Sequence, residues 1–389
     1  MCTDNASTNP YNGFEQGPIR PPSEARSLLL RITRGCPWNR CTFCPVYKAS
    51  RFSVRPVEHV KQDIDLIHKH VTAIQNMVGS SARTAVSEVQ KAGRSIAPAE
   101  WAVFAAAAEW LTGGGGRSVF LQDADALVIK PDDLVAILRH LRRRFPGITR
   151  VTSYARSQTI ARRNAADLAA IRTAGLDRIH VGLESASNDV LAVTGKGATK
   201  EIHIAAGLKA RRADMELSEY VMPGLGGRQL SRSHAVETAD ALNQINPHFI
   251  RLRQLAIPAG APLCEEHRSG AFCKCTDREV AAELLLFIDK LDGITSAVTS
   301  DHILNLFMDL QGTLPKDKDR MTSMLRNFQD MAPEEQRLYQ VGRRTGIFSR
   351  TRDMQNPLKR EAAEKACREL GITADNVDAI TDRLMTRFV

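Results

Sequence analysis

Three cysteines lie within nine residues of one another, at Cys36, Cys41 and Cys44. The segment that holds them, Cys-Pro-Trp-Asn-Arg-Cys-Thr-Phe-Cys, directly follows the first predicted strand. Thiolates separated by four and by two residues in a proline-containing loop can converge on a soft metal centre. The spacing therefore indicates an iron–sulfur cluster or a zinc site.

The spacing alone leaves several kinds of site open. A two-iron cluster of the ferredoxin type needs a fourth thiol soon after the third, and no cysteine occurs between Cys44 and Cys264. A zinc knuckle would have to recruit His59, at the start of a predicted helix. Three structural cysteines without metal are a further alternative. The remaining interpretation is a four-iron cluster held by three thiolates, with its fourth iron open to a small molecule.

The elements that must position these cysteines alternate along the chain between short apolar stretches and amphipathic ones. The predicted strands are residues 27–33, 118–122, 150–154, 178–182, 216–221 and 249–255. The predicted helices between them are residues 57–70, 131–144, 159–174, 200–212 and 231–243. This pattern predicts about six strand–helix units around a parallel sheet, which could be an open sheet or an incomplete barrel.

The composition of the chain divides it into three regions. We expect an N-terminal arm at residues 1–26, a core at 27–257 with an insertion at 71–116, and a mainly helical region at 258–389. The glycine tract at 113–116 precedes a strand and opens no helix, so it is expected to be a flexible connector and not a phosphate loop.

Composition and charge narrow the class of protein. Of the 389 residues, 43% are hydrophobic and 25% are charged, which is typical of a globular protein with a large core. The apolar runs fall far short of the roughly 20 residues that cross a bilayer, so no membrane association is expected. The first residues do not resemble a signal peptide, and a cytoplasmic location is expected.

The net charge of +9 suits an anionic partner, but aromatic residues do not interleave with the basic runs. A small-molecule substrate is therefore favoured over nucleic acid.

The cysteine segment resembles a known cluster loop. Arg-Ile-Thr-Arg-Gly-Cys-Pro-Trp-Asn-Arg-Cys-Thr-Phe-Cys-Pro, which begins at Arg31, is similar to the loop of radical S-adenosylmethionine (SAM) enzymes, including the aromatic Phe43 before the last cysteine. Four residues instead of the usual three separate the first two cysteines. Residues 176–191 with the following Lys-Gly-Ala-Thr, and residues 220–227, are similar to relatives of oxygen-independent coproporphyrinogen oxidase and of the elongator catalytic subunit.

This resemblance implies a fold, cofactors and an activity. The fold class would be α/β, an incomplete (β/α)6 TIM-like barrel with a mainly helical C-terminal region. The cofactors would be a 4Fe–4S cluster and SAM, with flavodoxin or ferredoxin as a one-electron donor. Reductive cleavage of SAM would give a 5′-deoxyadenosyl radical that abstracts hydrogen from an unidentified substrate. The alternative function is a non-catalytic iron–sulfur or zinc protein that binds RNA.

The resemblance also assigns roles to particular residues. Cys36, Cys41 and Cys44 would ligate the cluster. The side chains and glycines expected to hold SAM are Phe43, Asp123, Tyr154, Arg156, Glu184, Gly224 and Gly226. Asp125 competes with Asp123 for the role of acidic acceptor, and Glu184 could instead cap a helix.

Two further groups of residues could take part in chemistry. A second metal site could be formed by Cys264, His267, Cys273 and Cys275, although surface or packing cysteines are the ordinary interpretation. At the end of the last predicted strand, Arg251 and Arg253 carry positive charge that would suit a carboxylated or phosphorylated substrate.

Overall fold

The computed structural model describes residues 10–78, 89, 91 and 93–386, which form two compact units. The first unit comprises the described residues up to Pro37, together with Arg51–Tyr154 and Ala166–Asp177. The second comprises Trp38–Ser50, Ala155–Ala165 and the described residues from Arg178 onward.

The strands and helices of the described residues are numbered along the chain. The strands are β1 (Leu28–Arg31), β2 (Thr33–Arg34), β3 (Ser53–Val54), β4 (Ser118–Gln122), β5 (Arg150–Ala155), β6 (Arg178–Glu184), β7 (Glu216–Val221), β8 (Phe249–Leu252), β9 (Ala297–Thr299) and β10 (Gly312–Thr313). The helices are α1 (Val57–Val78), α2 (Trp101–Gly114), α3 (Pro131–Arg144), α4 (Ser157–Arg162), α5 (Ala165–Ala174), α6 (Asn188–Val193), α7 (Lys200–Arg212), α8 (Gly227–Ile245), α9 (Leu263–Arg268), α10 (Asp277–Lys290), α11 (Lys318–Gln329), α12 (Pro333–Arg344), α13 (Pro357–Glu369) and α14 (Val377–Met385).

The first unit contains three parallel strands in the order β1, β4, β5. Strand β4 is apolar at Val119, Phe120 and Leu121, all of which are fully buried, as expected of a parallel strand covered on both faces. Helix α3 buries Leu134, Ile137, Leu138 and Leu141. This spacing of three and four residues gives the helix one apolar face.

An N-terminal arm, residues 10–26, is fastened to the first unit by polar contacts. The Tyr11 hydroxyl donates to Asp63 Oδ1 at 2.6 Å. The Glu15 carboxylate forms ion pairs with three arginines, Arg31, Arg34 and Arg55. Further along the arm, the Gly17 N–H donates to the side-chain oxygen of Gln122, the last residue of β4. The side-chain nitrogen of Gln122 donates to the carbonyls of Gly17 and Ile19.

The second unit contains four parallel strands in the order β6, β7, β8, β9, with β10 antiparallel to β9. Helix α7 begins at Thr199, whose hydroxyl accepts the backbone N–H of Ile202. Helix α10 begins with a reciprocal capping box between Thr276 and Glu279. These caps explain why both helices start where they do after polar loops.

The described C-terminal residues are mainly helical, as predicted. Beyond residue 257, helices α9–α14 are accompanied by the short strands β9 and β10. Tyr339 of α12 stacks on Phe307 with 5.7 Å between ring centroids. The buried ion pair Arg344–Asp277 joins α12 to α10.

Three predicted elements differ from the observed ones. The helix predicted over residues 159–174 is split into α4 and α5, because Arg163 is extended and its carbonyl accepts Lys209 Nζ at 2.9 Å. The strand predicted over 249–255 ends at Leu252, and β9 was not predicted.

The glycine tract at 113–116 is a connector only in its second half, so the expectation was wrong for Gly113 and Gly114. Helix α2 continues through Gly114, and Gly115 ends it in the left-handed conformation with φ +63°. Glycine adopts this backbone without the steric cost that a Cβ atom imposes.

No helix among the described residues is long and apolar enough to span a membrane.

Candidate functional site

The three cysteines of the predicted cluster loop are not disulfide-bonded and lie in a loop without helix or strand. Gly35, directly before Cys36, has φ +82°, a left-handed backbone that lets the chain turn away from β2. Cys36 belongs to the first unit, whereas Cys41 and Cys44 belong to the second.

The aromatic residue between the last two cysteines belongs to an apolar cluster of the second unit. Phe43 is 9% exposed, and Cys41 and Cys44 pack against the same cluster. Its other buried members are Val190, Met222, Leu225, Leu255, Leu263 and Phe272. The cluster holds this part of the loop in a fixed, largely water-free setting.

Glu184, at the end of β6, forms an ion pair that the sequence analysis did not predict. Its Oε1 lies 3.3 Å from Lys196 Nζ. Both side chains are largely buried, with exposed fractions of 14% for Glu184 and 13% for Lys196. Gly182 makes room for the pair, since a Cβ atom there would lie 3.0 Å from Lys196 Nζ and closer still to Glu184. A carboxylate and an ammonium therefore stand together at the carboxyl end of the strand.

Lys196 also affects the cysteine loop. Its Nζ lies 5.9 Å from the centroid of the Phe43 ring. Burial raises the pKa of the Cys41 thiol, whereas the charges of Lys196 and Arg156 act in the opposite direction. Because the thiolate is the form that ligates iron, these two cations favour the ligating state.

Arg156 lies beside the same loop, and Tyr154 belongs to the other unit. Arg156 Nη2 donates to the Lys196 carbonyl at 3.1 Å, and its guanidinium lies 5.1 Å from the centroid of Trp38. The Tyr154 ring meets Phe120 edge-on, with 5.1 Å between centroids. The structure thus brings Arg156, but not Tyr154, together with Lys196 within one unit.

Asp123 is fully buried in the first unit and holds the residue that precedes the first cysteine. Its Oδ2 accepts the Gly35 backbone N–H at 3.1 Å and two bonds from Arg31 at 3.0 Å. Asp125 is also fully buried and precedes a short 3-10 turn. In this structure Asp123 therefore helps to shape the start of the cysteine loop.

The glycine-rich turn after β7 is backed by a carboxylate that sequence reasoning missed. Gly224 has φ +85°, and its N–H donates to Glu283 Oε1 at 2.7 Å. Glu283 of α10 also accepts the Ser231 hydroxyl at 2.5 Å. A side chain at Gly226 would meet Leu230 at 2.9 Å, so only glycine fits there. No signal near Gly224 in the sequence points to a glutamate 59 residues away.

The second group of possible metal ligands is occupied with local contacts. His267 Nδ1 lies 3.1 Å from the Phe272 carbonyl oxygen. Cys273 Sγ contacts the Gly270 carbonyl, and burial raises the pKa of Cys275 to about 12. Throughout the described part of the chain, no three Cys, His, Asp or Glu side chains are grouped to hold a single metal ion.

The two strand-end arginines differ in their surroundings. Arg251 is buried, and its guanidinium is bound by Asp301 and Ser218, each at 3.1 Å. Arg253 is exposed, and no ion pair joins it to another residue of the described ranges. A free positive charge is thus available at Arg253 and not at Arg251.

The donor set of the cysteine loop fits a four-iron cluster. Soft thiolates are the usual protein ligands of such clusters. In a cube each thiolate binds a different iron, so the three sulfur atoms need not meet at one point as they would around a single zinc ion. The absence of a single-ion group among the described residues is therefore compatible with this cofactor.

One family model matches the chain. The model described as "Radical SAM superfamily" matches residues 30–239, more than half of the chain. The match includes the cysteine loop and the strands from β4 to β7. No curated protein matches the chain.

Several solved structures are similar to this chain at low identity. Elp3 from the archaeon Methanocaldococcus infernus is 12% identical over 47% of this chain and 46% of that one, with a TM-score of 0.38. The methyltransferase TsrM from Kitasatospora setae, solved with cobalamin and a 4Fe–4S cluster, is 14% identical over 62% and 36%, with a TM-score of 0.41. Coproporphyrinogen III oxidase (HemN) from Escherichia coli is 12% identical over 64% and 50%, with a TM-score of 0.41. The chain thus matches half or less of the length of each of these proteins.

Proposed function

Because the chain belongs to the radical SAM superfamily, we propose that Cys36, Cys41 and Cys44 ligate its cluster and that SAM is cleaved reductively beside them. The chain is an enzyme, and its cofactors are those of the superfamily, a 4Fe–4S cluster and SAM. The predicted α/β fold class, with mostly parallel strands and a mainly helical C-terminal region, is confirmed. When bound, the cluster and SAM supply one-electron cleavage to a 5′-deoxyadenosyl radical, which removes hydrogen from a substrate.

The observation that carries the proposed site is the Lys196–Glu184 pair beside Cys41 and Phe43. SAM carries a carboxylate, an amine and ribose hydroxyls. The Lys196 ammonium is suited to the carboxylate, and the Glu184 carboxylate is suited to the amine or to a hydroxyl. The apolar cluster around Phe43 is suited to the adenine ring and excludes water.

The other predicted contacts remain part of the proposal. Asp123 is assigned an acidic role towards SAM, which it would combine with holding Gly35. Tyr154 and Arg156 are assigned to the ribose or the carboxylate, and Gly224 and Gly226 to the methionine side. Positive φ at Gly224 permits the close backbone approach that this role needs.

The substrate and the electron donor are proposed only by chemical class. Enzymes of this superfamily need a reductant, and we assign that role to a flavodoxin or a ferredoxin. A small molecule with a carboxylate or phosphate is the proposed substrate, because Arg253 offers an uncompensated positive charge at the end of β8. No observation on the described residues favours the alternative function of RNA binding.

The test is formation of 5′-deoxyadenosine. The protein is reconstituted anaerobically with iron and sulfide, reduced with dithionite and supplied with SAM, and the product is measured by mass spectrometry. Wild type is expected to form 5′-deoxyadenosine, and Cys41→Ala to form none above background. Cys367→Ala is the matched control, since this free thiol lies on α13. Wild-type protein that binds iron and sulfide but cleaves no SAM would contradict the proposal.

A further inference from the structure

Trp38 lies in the cysteine loop beside two positively charged side chains. The Arg40 guanidinium lies 5.0 Å from the ring centroid, and that of Arg156 lies 5.1 Å from it. The indole Nε1–H donates to the Gly195 carbonyl at 2.7 Å. Stacked cations and a short hydrogen bond fix the orientation of the ring.

The segment from Thr194 to Gly197 is held on two sides. The N–H groups of Thr194, Gly195 and Lys196 donate to carbonyls of helix α6. The carbonyls of the same three residues are bound by the cysteine loop and Arg156. The Thr194 carbonyl accepts the Thr42 backbone N–H at 2.9 Å. The next two carbonyls, of Gly195 and Lys196, accept Trp38 Nε1 and Arg156 Nη2. Three successive carbonyls of this segment are thus bound from outside it.

The two glycines that flank Lys196 lie against the cysteine loop. Gly195 has φ +61°, and a Cβ atom there would lie 2.9 Å from the Arg40 carbonyl oxygen. Gly197 has φ +70°, and a Cβ atom there would lie within 3.0 Å of three atoms of the Trp38 indole. The indole therefore packs directly on the backbone of Gly197.

Helix α6 fixes the N–H groups of Gly195 and Lys196, but it leaves their carbonyls and the Gly197 backbone to other partners. Glycine loses more conformational freedom on folding than any other residue, so the Gly195–Lys196–Gly197 segment needs contacts from outside to hold one conformation. Trp38 supplies a hydrogen bond on one side of Lys196 and a packing surface on the other.

We propose that Trp38 is a positioning residue that places Lys196 for SAM and thereby couples the order of the cysteine loop to the SAM site. The proposal rests on the proposed function for the role of Lys196. The position of the ammonium beside Glu184 rests on the contacts above. Trp38 acts through Lys196 and has no assigned contact with SAM.

The first test measures the order of Lys196 directly. Full-length protein, reconstituted with its cluster and with its iron content measured, is labelled with acetic anhydride. Modification of Lys196 is followed by mass spectrometry relative to Lys365, whose side chain is 69% exposed. In wild type the 13% exposure of Lys196 predicts slow labelling.

Substitution of Trp38 is expected to expose Lys196. In Trp38→Ala, labelling of Lys196 should rise roughly tenfold, since a buried hydrogen bond and a packing contact are both lost. Trp38→Phe keeps a ring over Gly197 but has no indole N–H. Labelling of Lys196 in this variant should therefore lie between that of wild type and that of Trp38→Ala. Trp101→Ala is the control, because Trp101 is 52% exposed in the first unit. If Trp38→Ala loses iron, the test uses Trp38→Phe instead. Lys196 labelling equal to that of wild type, in whichever of the two variants retains iron, would overturn the proposal.

A double-substitution cycle separates positioning from general destabilisation. Gly197→Ala should itself increase labelling, because the added methyl meets the indole. In the double variant with Trp38→Ala, the effect of Gly197→Ala should shrink, since the ring is gone. Additive effects of the two substitutions would contradict a direct contact between them.

The proposed function can fail independently of this inference. If wild type forms no 5′-deoxyadenosine, the assignment of Lys196 to SAM fails, while the labelling results still report on Trp38. If wild type is active and Trp38→Ala labels as expected but binds SAM with unchanged affinity, the coupling to SAM is overturned.

Discussion

Lys196 shows how much a single charge contributes to the proposed site. Its ammonium lies beside Glu184, near the Phe43 ring, and close enough to Cys41 to oppose the rise in that thiol's pKa. A neutral side chain of similar length would remove all three effects. It would also leave the Glu184 carboxylate largely buried without its cation.

Lys196→Gln is expected to weaken SAM binding roughly 10- to 100-fold, the range for the loss of one charge-assisted hydrogen bond. Equilibrium dialysis with the reconstituted protein measures the affinity, with iron content determined in parallel. Lys48→Gln is the matched control, since Lys48 lies in the same loop region but donates to the Asn39 carbonyl. Equal losses in the two variants would argue against a specific role for Lys196.

Strand β7 carries a buried acid in the second unit. Glu219 is 1% exposed, and its Oε2 has no hydrogen-bond partner among the described residues. Burial raises the pKa of Glu219 well above its ordinary value. The folded protein therefore keeps the proton over a pH range in which the unfolded chain releases it.

The stability of the protein should depend on pH through this strand. Because the folded state binds the extra proton, the contribution of Glu219 to stability is complete below the unfolded pKa and falls as pH rises towards the folded pKa. Glu219→Gln cannot ionise, so it should be more stable than wild type at pH 8 and similar to it at pH 4.

Urea midpoints from circular dichroism across this pH range provide the measurement. Glu361→Gln, on the exposed surface of α13, is the control and should follow wild type. A Glu219→Gln variant whose midpoint falls with pH as steeply as that of wild type would show that another group is responsible.

At the scale of the whole molecule, the chain has a net charge of +9. An acidic flavodoxin or ferredoxin would be attracted over a distance of several ångströms, and salt screens such attraction. Stopped-flow reduction of the cluster by an acidic flavodoxin should slow at least severalfold between about 20 mM and 300 mM salt. Reduction by excess dithionite, with no protein partner, is the control; equal salt dependence for the two reductants would exclude charge-guided docking.

Much of this molecule could be predicted from local sequence patterns. The bounds of β4, α3, α7 and β7 follow from apolar periodicity and agree with the structure. The break between α4 and α5 was missed, because it depends on Lys209, which binds the carbonyl of Arg163 from another helix. Strand β9 was missed because three residues are too few to show a period.

The proposed site shows the same division between local and distant information. The cysteines and Phe43 stand in one short motif, so a local pattern was sufficient to propose them as site residues. Lys196 was not predicted as a site residue, because its ion pair with Glu184 and its approach to Phe43 arise only in the folded chain. Glu283 was missed for the same reason, since its contact with Gly224 arises only when α10 packs beside the turn.

The N-terminal arm has a practical consequence for work with this protein. The arm is hydrogen-bonded to Gln122, the residue directly before Asp123. Glu15 of the arm also forms an ion pair with Arg31, which in turn pairs with Asp123. Trimming the gene ahead of β1 to obtain a shorter expression product would leave these guanidinium and amide groups bare. Affinity tags and truncations are therefore better tried at the opposite terminus.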